Sequence, residues 1–290
     1  MIPTKQDVKE LQDELLRAFE GVLFDPIREL SGFVENSIDA VRRALYEGKI
    51  EYVDGVLRGQ FGVNLARYME KENQVWDNKK RGYIINKPEL LALIGSATAR
   101  FTTTQQQIAR FLGAMGDVQL GIDKKVVDGS IDSVIKGAGK HIGIETPVDA
   151  KQQKAEMFDS LNVSGVAFIV GTAVKLIQDL NEAKSFKDLR NLIDIRYGQA
   201  KRKSAVLADE SSFYFGAQAR QMFYKDQGIT HFKWVTRKDA KVRASHKALD
   251  GDTFSYNDPP IVDGKPLMPG GDYGCRCVDF PIKPKPKDII

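Results

Sequence analysis

The chain has 290 residues, a formal net charge of +4 at pH 7 and a hydrophobic fraction of 42%. This length and composition are typical of one large or two ordinary globular domains and exclude global disorder. The N-terminal segment lacks the basic and apolar regions of a secretory signal, and the apolar stretch at 163–174 is shorter than the ~20 residues of a membrane span. Two cysteines do not make a disulfide framework. We therefore expect a protein that matures in a reducing cytosol without a membrane partner.

Apolar residues at helical spacing open the chain. Thr4 is predicted to cap a first helix whose apolar stripe begins at Val8. Pro26 separates it from a second helical run that extends to Leu45, and Gly48 follows where a helix-terminating glycine adopts a positive φ. The pattern predicts two opening helices.

Glycine-rich segments alternate with further helices. We interpret 50–62 as a short helix with a turn, 79–86 as a short extended piece and 116–150 as loops and short helices. Helical spacing predicts four further helices, the first begun by Pro88 and the last ended by Gly228, over residues 88–115, 151–181, 186–195 and 199–225.

The C-terminal part changes to short β-prone pieces, at 231–235, 253–254 and 275–280, separated by stretches rich in proline and glycine. The predicted fold class is mainly α with a small C-terminal α+β module. The predicted domains are a mostly helical body, an α+β module with its lead-in helix, and an extended Pro/Lys tail, over residues 1–198, 199–280 and 281–290.

A candidate metal site combines this module's histidine with both cysteines of the chain. Thr236 is predicted to cap a short helix on which Asp239, Arg243 and His246, at i, i+4 and i+7, share one face. If 275–280 is a strand, Cys275 and Cys277 also share one face. Zinc prefers tetrahedral nitrogen and sulfur ligands, so His246, Cys275 and Cys277 are predicted ligands, with Asp239, Asp250 or His231 as a fourth. Two alternatives stay open: the cysteines are small buried apolar residues, or they form a strained disulfide.

A catalytic interpretation has less support. Ser245 and His246 are neighbours that point about 100° apart on a helix, so they do not form a nucleophile and base pair. Asp239 with His246 could ligate a metal ion for phosphodiester hydrolysis, but neither a second carboxylate pair nor a glycine-rich phosphate loop accompanies them. No catalytic residue is therefore predicted.

Positive charge is concentrated in one part of the chain. Between Ala183 and Lys247 there are fifteen Lys and Arg against six Asp and Glu, a local balance of +9. Such a stretch is either a solvated helix face or a surface for a phosphate backbone. On the second interpretation, the predicted DNA-binding residues are Lys201, Arg202, Lys203, Arg237, Lys238 and Lys241.

The combined motif resembles the phage Mu F-like family of minor head proteins, also called phage head morphogenesis proteins. The resemblance covers about residues 195–280, and it departs from the family pattern around Ala208, where an arginine is commoner. Its elements are Trp234, Thr236, Asp239, Arg243, His246, Asp250-Gly251, Pro269-Gly270 and Cys275-Arg276-Cys277. The resemblance implies that these residues stabilise the fold or bind a metal ion, and that the protein is not an enzyme.

The same resemblance implies a virion structural role. The expected protein is a minor capsid component of a tailed phage, made in the bacterial host cytoplasm and located inside the head or at the portal vertex. Its expected partners are the portal or major capsid protein and packaged double-stranded DNA, with no small-molecule substrate and no cofactor other than zinc. Two alternatives are kept: a metal-dependent nuclease or hydrolase acting in DNA processing, and a DNA-binding factor with no virion role.

Overall fold

The computed structural model describes residues 3–31, 40–144, 149–272 and 274–282. The helices are α1 (Lys5–Phe19), α2 (Asp25–Ser31), α3 (Ala40–Tyr46), α4 (Val63–Lys71), α5 (Pro88–Gly113), α6 (Lys124–Ile142), α7 (Lys151–Leu180), α8 (Phe186–Asp226) and α9 (Ala244–Lys247). The strands are β1 (Ile50–Val53), β2 (Val56–Gly59), β3 (Val75–Asp77), β4 (Gly82–Ile84), β5 (His231–Val235), β6 (Thr253–Ser255), β7 (Ile261–Val262), β8 (Lys265–Pro266) and β9 (Val278–Ile282). The predicted fold class is confirmed.

The chain is divided between two compact units, each assembled from separate segments. The first, here called the module unit, comprises the described parts of 1–18, 119–166 and 201–290. The second, here called the sheet unit, comprises the described parts of 19–118 and 167–200. The boundary predicted between residues 198 and 199 falls inside α8 and stays a prediction.

The sheet unit contains an antiparallel sheet in the order β1-β2-β4-β3. The helix predicted over 50–62 is wrong, because β1 and β2 form a hairpin there. Its two turn residues, Asp54 and Gly55, have φ angles of 52° and 78°. Positive φ at both central residues is the type I′ geometry, which matches the twist of paired strands. The extended piece predicted at 79–86 is confirmed by β4.

The opening helices follow the predicted cap but not the predicted break. The Thr4 hydroxyl accepts a hydrogen bond from the Asp7 N–H at 3.2 Å. After α1 the chain passes through a π-helical turn, Glu20–Phe24, directly into α2. This wider turn accommodates Pro26, which has no N–H for an α-helical hydrogen bond. Much of the second predicted run, 32–39, lies outside the described residues.

Glycines end the helices where the sequence predicts them to end. Gly48 and Gly228 have φ angles of 64° and 71°, as expected of glycines that follow a helix. The helices predicted over 88–115 and 151–181 are confirmed as α5 and α7. The two predicted over 186–195 and 199–225 are a single helix, α8, of 41 residues.

The interpretation of 116–150 as loops and short helices is wrong, because most of it is α6, a helix of 19 residues. The Asp123 carboxylate caps its start by accepting the Lys125 N–H at 2.8 Å. Gly143, with φ 77°, closes its end. Cap residues at both ends therefore compensate for the glycines inside the helix.

Helix α7 is long and apolar. Its most hydrophobic window of 18 residues has a mean hydropathy of 1.6, and 33% of that window is buried. By length and composition α7 could therefore cross a membrane, a property that core helices of globular proteins share. The apolar stretch at 163–174 is thus the centre of a much longer helix.

In the module unit, α6 packs directly on α8 and contacts β9. The Ser130 and Ser212 hydroxyl oxygens lie 3.3 Å apart. A Cβ atom on Gly216 would lie 3.2 Å from Val134 Cγ2, so these helices approach closely where α8 has no side chain. The His141 ring packs edge-on against Phe280, with 4.7 Å between ring centroids.

The three-stranded sheet of the module unit has the order β6-β5-β9 and is antiparallel, and β7 and β8 form a separate two-stranded sheet. The strands predicted at 231–235 and 253–254 are confirmed as β5 and β6. The strand predicted at 275–280 starts later, at Val278, and it includes the first two residues of the predicted tail. The rest of that tail, 283–290, lies outside the described residues.

Candidate metal centre

Trp234 anchors the site at the end of β5. Its side chain is fully buried, and its N–H and C=O bond to Asp252 O and the Gly251 N–H, both at 2.8 Å. Gly251 has φ 96°, which confirms the turn predicted at Asp250-Gly251. The Asp250 carboxylate accepts the Thr236 N–H at 2.7 Å. These bonds fix both ends of the loop that carries His246.

The helix predicted from Thr236 to His246 is wrong. Lys238 has φ 56°, which is incompatible with a right-handed helix, and α9 begins only at Ala244. The Asp239 carboxylate accepts the Lys241 N–H at 3.0 Å, a local turn that competes with helix formation. Consequently Asp239, Arg243 and His246 do not share one helix face.

Two ion pairs hold this loop against the cysteine segment instead. Arg276 donates to both carboxylate oxygens of Asp239, at 3.0 and 2.8 Å, and Arg243 pairs with Asp272. The first pair lowers the pKa of Asp239. Both pairs are half-exposed, so each contributes little to stability on its own. Their effect is to fix the relative position of two loops.

Cys275 and Cys277 lie in a loop and not on a strand, which corrects the strand-face prediction. A turn closed by Cys275 N–H to Asp272 O, at 2.9 Å, precedes them. Upstream, Gly270 has φ 81°, and a Cβ there would lie 2.6 Å from Ala217 Cβ on α8. The preceding Pro269 is buried, and its C=O accepts a hydrogen bond from Gln221 at 2.9 Å. The loop is therefore seated on α8 by its Pro-Gly pair.

Both thiols converge on one histidine nitrogen. His246 Nδ1 lies 3.5 Å from Cys275 Sγ and 3.6 Å from Cys277 Sγ. The three ligand atoms lie within 4.8 Å of one another, and the three residues are buried. Tetrahedral zinc with bonds of ~2.3 Å to sulfur and ~2.0 Å to nitrogen would separate such atoms by about 3.6 Å. The three side chains therefore fit a zinc ion.

Simple packing explains this geometry less well. A neutral Nδ1 offers one lone pair, so it accepts one S–H hydrogen bond at a time, whereas a metal ion accounts for both contacts. The cysteines are free thiols, not a disulfide. A hydrogen bond from the Cys277 thiol lowers the pKa of Cys275 to about 5, and the same contact, with burial, raises the pKa of Cys277. Binding of a zinc ion would require both thiols to lose their protons.

The histidine is oriented by packing. Its ring meets the Trp234 ring edge to face, with 5.7 Å between centroids. In the described part of the chain, His246 Nε2 is buried without a hydrogen-bond partner. Metal-binding histidines usually donate that N–H to an acceptor, so here the indole takes over the orienting role.

The three residues predicted as a fourth ligand lie elsewhere. Asp239 pairs with Arg276, and the Asp250 carboxylate accepts the Thr236 N–H. The ring of His231 is exposed, with Nδ1 2.9 Å from the Thr230 hydroxyl. Among the described residues, the potential ligands that meet are His246, Cys275 and Cys277.

A buried ion pair beside the site was not predicted from the sequence. The Arg220 guanidinium of α8 donates to Asp279 Oδ1 of β9, with Nε at 2.9 Å, and Tyr256 donates to Asp279 Oδ2 at 2.7 Å. Arg220 is 2% and Asp279 0% exposed. In the sequence, the positions of the two residues could have indicated that they are buried. Asp279 lies at an inward-facing position of a strand, and Arg220 lies one helical turn before the buried Tyr224.

The predicted DNA-binding residues lie in the module unit at two places. Lys201 and Arg202 are exposed on α8, while Lys203 is half-buried and lines a cavity of about 510 Å³. Arg237, Lys238 and Lys241 are exposed in the loop after β5. The Lys238 ammonium lies 3.8 Å from Asp250.

Asp279→Asn is expected to lower the free energy of unfolding by about 3–5 kcal/mol, because it removes the negative charge that Asp279 places beside the buried Arg220 guanidinium. The measurement is chemical denaturation followed by tryptophan fluorescence. Asp239→Asn, which breaks the exposed pair with Arg276, is the control and should leave stability nearly unchanged. Equal effects of the two substitutions would contradict this account.

Comparison with known proteins finds one family and two relatives that each match part of the chain. Residues 173–279 match the family described as Phage Mu protein F like protein. An uncharacterised protein of Haemophilus influenzae is 30% identical over 104 residues, 36% of this chain and 23% of that protein. The Mu-like prophage FluMu F protein of the same organism is 26% identical over 138 residues, 44% of this chain and 32% of that protein.

The matches thus span about a quarter to a third of the length of these relatives. No solved structure matches the chain. The matched segment contains the whole of α8, the Trp234 anchor, the buried ion pair and all three converging ligands. Residues 173–279, here called the Mu F-like region, are therefore similar to the family described as Phage Mu protein F like protein.

Proposed function

We propose that the chain is a minor structural protein of a tailed-phage head, located inside the head or at the portal vertex. The observation that carries the proposal is the Mu F-like region, whose motif residues form one connected set of contacts. A relative that matches the chain over 138 residues is named the Mu-like prophage FluMu F protein. The expected partners are the portal or major capsid protein.

The motif residues act here as a scaffold. Trp234, Thr236, Asp250 and Gly251 close one loop by main-chain and side-chain hydrogen bonds. Pro269 and Gly270 seat the other loop on α8, and the arginine pairs join the two. None of these contacts needs a substrate to be satisfied, which supports a structural and not an enzymatic role.

The virion role is tested by mass spectrometry and electron cryomicroscopy of purified particles. We expect a few copies per particle, density at the portal vertex or on the inner face of the head, and defective heads when the gene carries a nonsense mutation. Supplying the intact gene in trans should restore them. Normal, infectious particles without this chain would refute the proposal.

We further propose that the module unit contacts packaged double-stranded DNA through its exposed cations. Replacing Lys201, Arg202 and Lys203 together by glutamine should weaken duplex binding and reduce its salt dependence by up to about three phosphate contacts. The matched control replaces Lys124, Lys136 and Lys140, which are exposed on α6 of the same unit. Fluorescence anisotropy over a salt series measures both quantities. Equal losses in the two triple variants would show a nonspecific charge effect.

A third proposal concerns the cofactor: His246, Cys275 and Cys277 hold one zinc ion, which would stabilise the junction of the two loops. We expect elemental analysis to find about one zinc per chain, and chelation to lower the melting temperature of the native chain. Cys275→Ser should abolish zinc binding and make melting insensitive to chelator. Ser245→Ala, beside His246, is the control. An unchanged zinc content in Cys275→Ser would contradict the assignment.

A cleavage assay tests the alternative of a metal-dependent nuclease. Plasmid nicking with added Mg²⁺ or Mn²⁺ that disappears in His246→Ala would replace the structural interpretation. In the described part of the chain no carboxylate joins the three ligands, and both nearby aspartates already accept hydrogen bonds. Neither of these two carboxylates is therefore free to act as a general base beside the ion.

A further inference from the structure

The proposed zinc site is one ligand short of a tetrahedron. His246, Cys275 and Cys277 supply three ligand atoms, and in the described residues no fourth histidine, cysteine or carboxylate reaches them. Structural zinc sites are almost always closed by four protein ligands, whereas three protein ligands leave a position for a group from outside. The geometry therefore raises the question of what that group is.

A small cavity lies against the three ligands. It has a volume of about 30 Å³, and its walls include His246, Cys275 and Cys277. The remaining wall carries four cationic side chains, those of Arg237, Lys241, Arg243 and Arg276. A volume of this size holds about one oxygen-sized ligand atom. Any larger ligand would insert a single atom and leave its remainder at the basic rim.

The charges at the cavity favour an anion. A zinc ion and two thiolates sum to zero, and a metal-bound histidine is neutral. The pairs of Arg243 with Asp272 and of Arg276 with Asp239 are also neutral. Arg237 and Lys241 form no ion pair within 4.0 Å in the described part of the chain, and both are exposed. The cavity therefore carries an excess charge of about +2, which a phosphate group would neutralise.

We propose that the fourth position of the zinc site takes a phosphate oxygen from outside the chain, with Arg237 and Lys241 holding the rest of the phosphate group. This inference rests on the proposed zinc binding. The two sources of the ligand are free inorganic phosphate and the phosphodiester backbone of DNA. Both present an anionic oxygen to the cavity, and parallel titrations with each ligand distinguish the two sources.

The experiment replaces zinc by Co²⁺ in the full chain. Thiolate-to-cobalt charge transfer in the near ultraviolet reports that Cys275 and Cys277 bind the ion, whatever occupies the fourth position. The visible d–d bands report the fourth ligand. Inorganic phosphate should shift the visible bands saturably and leave the charge-transfer band in place. A short DNA duplex is titrated in parallel: a shift with DNA assigns the source to the phosphodiester, and a shift with phosphate alone assigns it to the free ion.

Charge-matched variants test the role of the rim. Arg237→Gln with Lys241→Gln should raise the apparent dissociation constant for phosphate by about tenfold or more, because two charge-assisted hydrogen bonds are lost. Lys225→Gln with Lys233→Gln removes two exposed cations of the same unit that lie outside the cavity. This double substitution should change the dissociation constant for phosphate little. Equal effects of the two pairs, or no visible shift with either ligand, would overturn the inference.

Loss of zinc binding and loss of phosphate binding give different spectra. Absence of the charge-transfer band would mean that the cysteines do not bind the ion, so the proposed zinc site would be wrong. A strong charge-transfer band with visible bands insensitive to phosphate and DNA would keep the zinc site and refute the phosphate ligand.

Discussion

The buried ion pair between Arg220 and Asp279 is the constraint on which the C-terminal part of the molecule depends. Removing two charges from water is costly, and the cost is offset only if each charge is fully hydrogen-bonded. Asp279 meets this condition with Arg220 on one oxygen and Tyr256 on the other. The pair thereby fixes β9 against α8 in one register. Because β9 begins directly after Cys277, it also fixes where the cysteine loop must end.

That loop explains how one residue between two cysteines is compatible with a shared ligand site. The Cys275 N–H donates to Asp272 O, and both thiols reach the same nitrogen of His246. Arg276, the residue between them, pairs with Asp239 in the facing loop. In the Cys-Arg-Cys motif the two cysteines therefore point towards His246, and the arginine between them joins its loop to Asp239 in the facing loop.

The sequence predicts much of the fold because strong helical periodicity and helix-ending glycines survive tertiary packing, as for α5, α7 and Gly48. It fails where two local signals compete. At 50–62 the Asp-Gly pair was the stronger indication, and the hairpin formed. At 236–246 the Asp239 turn prevailed over the predicted Thr236 cap. The motif spacing identified His246 and both cysteines as one set, which the structure places together. The partner of Asp239 and the pairing of Arg220 depend on long-range packing, which spacing along the chain does not encode.

The contacts of α6 with α8 and β9 show that residues upstream of the Mu F-like region cover part of it. Ser130 and Val134 precede the Mu F-like region, yet they contact Ser212 and Gly216 within it. His141 also precedes it and packs against Phe280, the residue that directly follows it. A recombinant fragment cut at the edge of the recognisable region would lack that covering helix and would expose apolar surface. The unit that folds around the Mu F-like region is accordingly larger than the segment whose sequence is recognisable, because it includes α6 upstream of that segment.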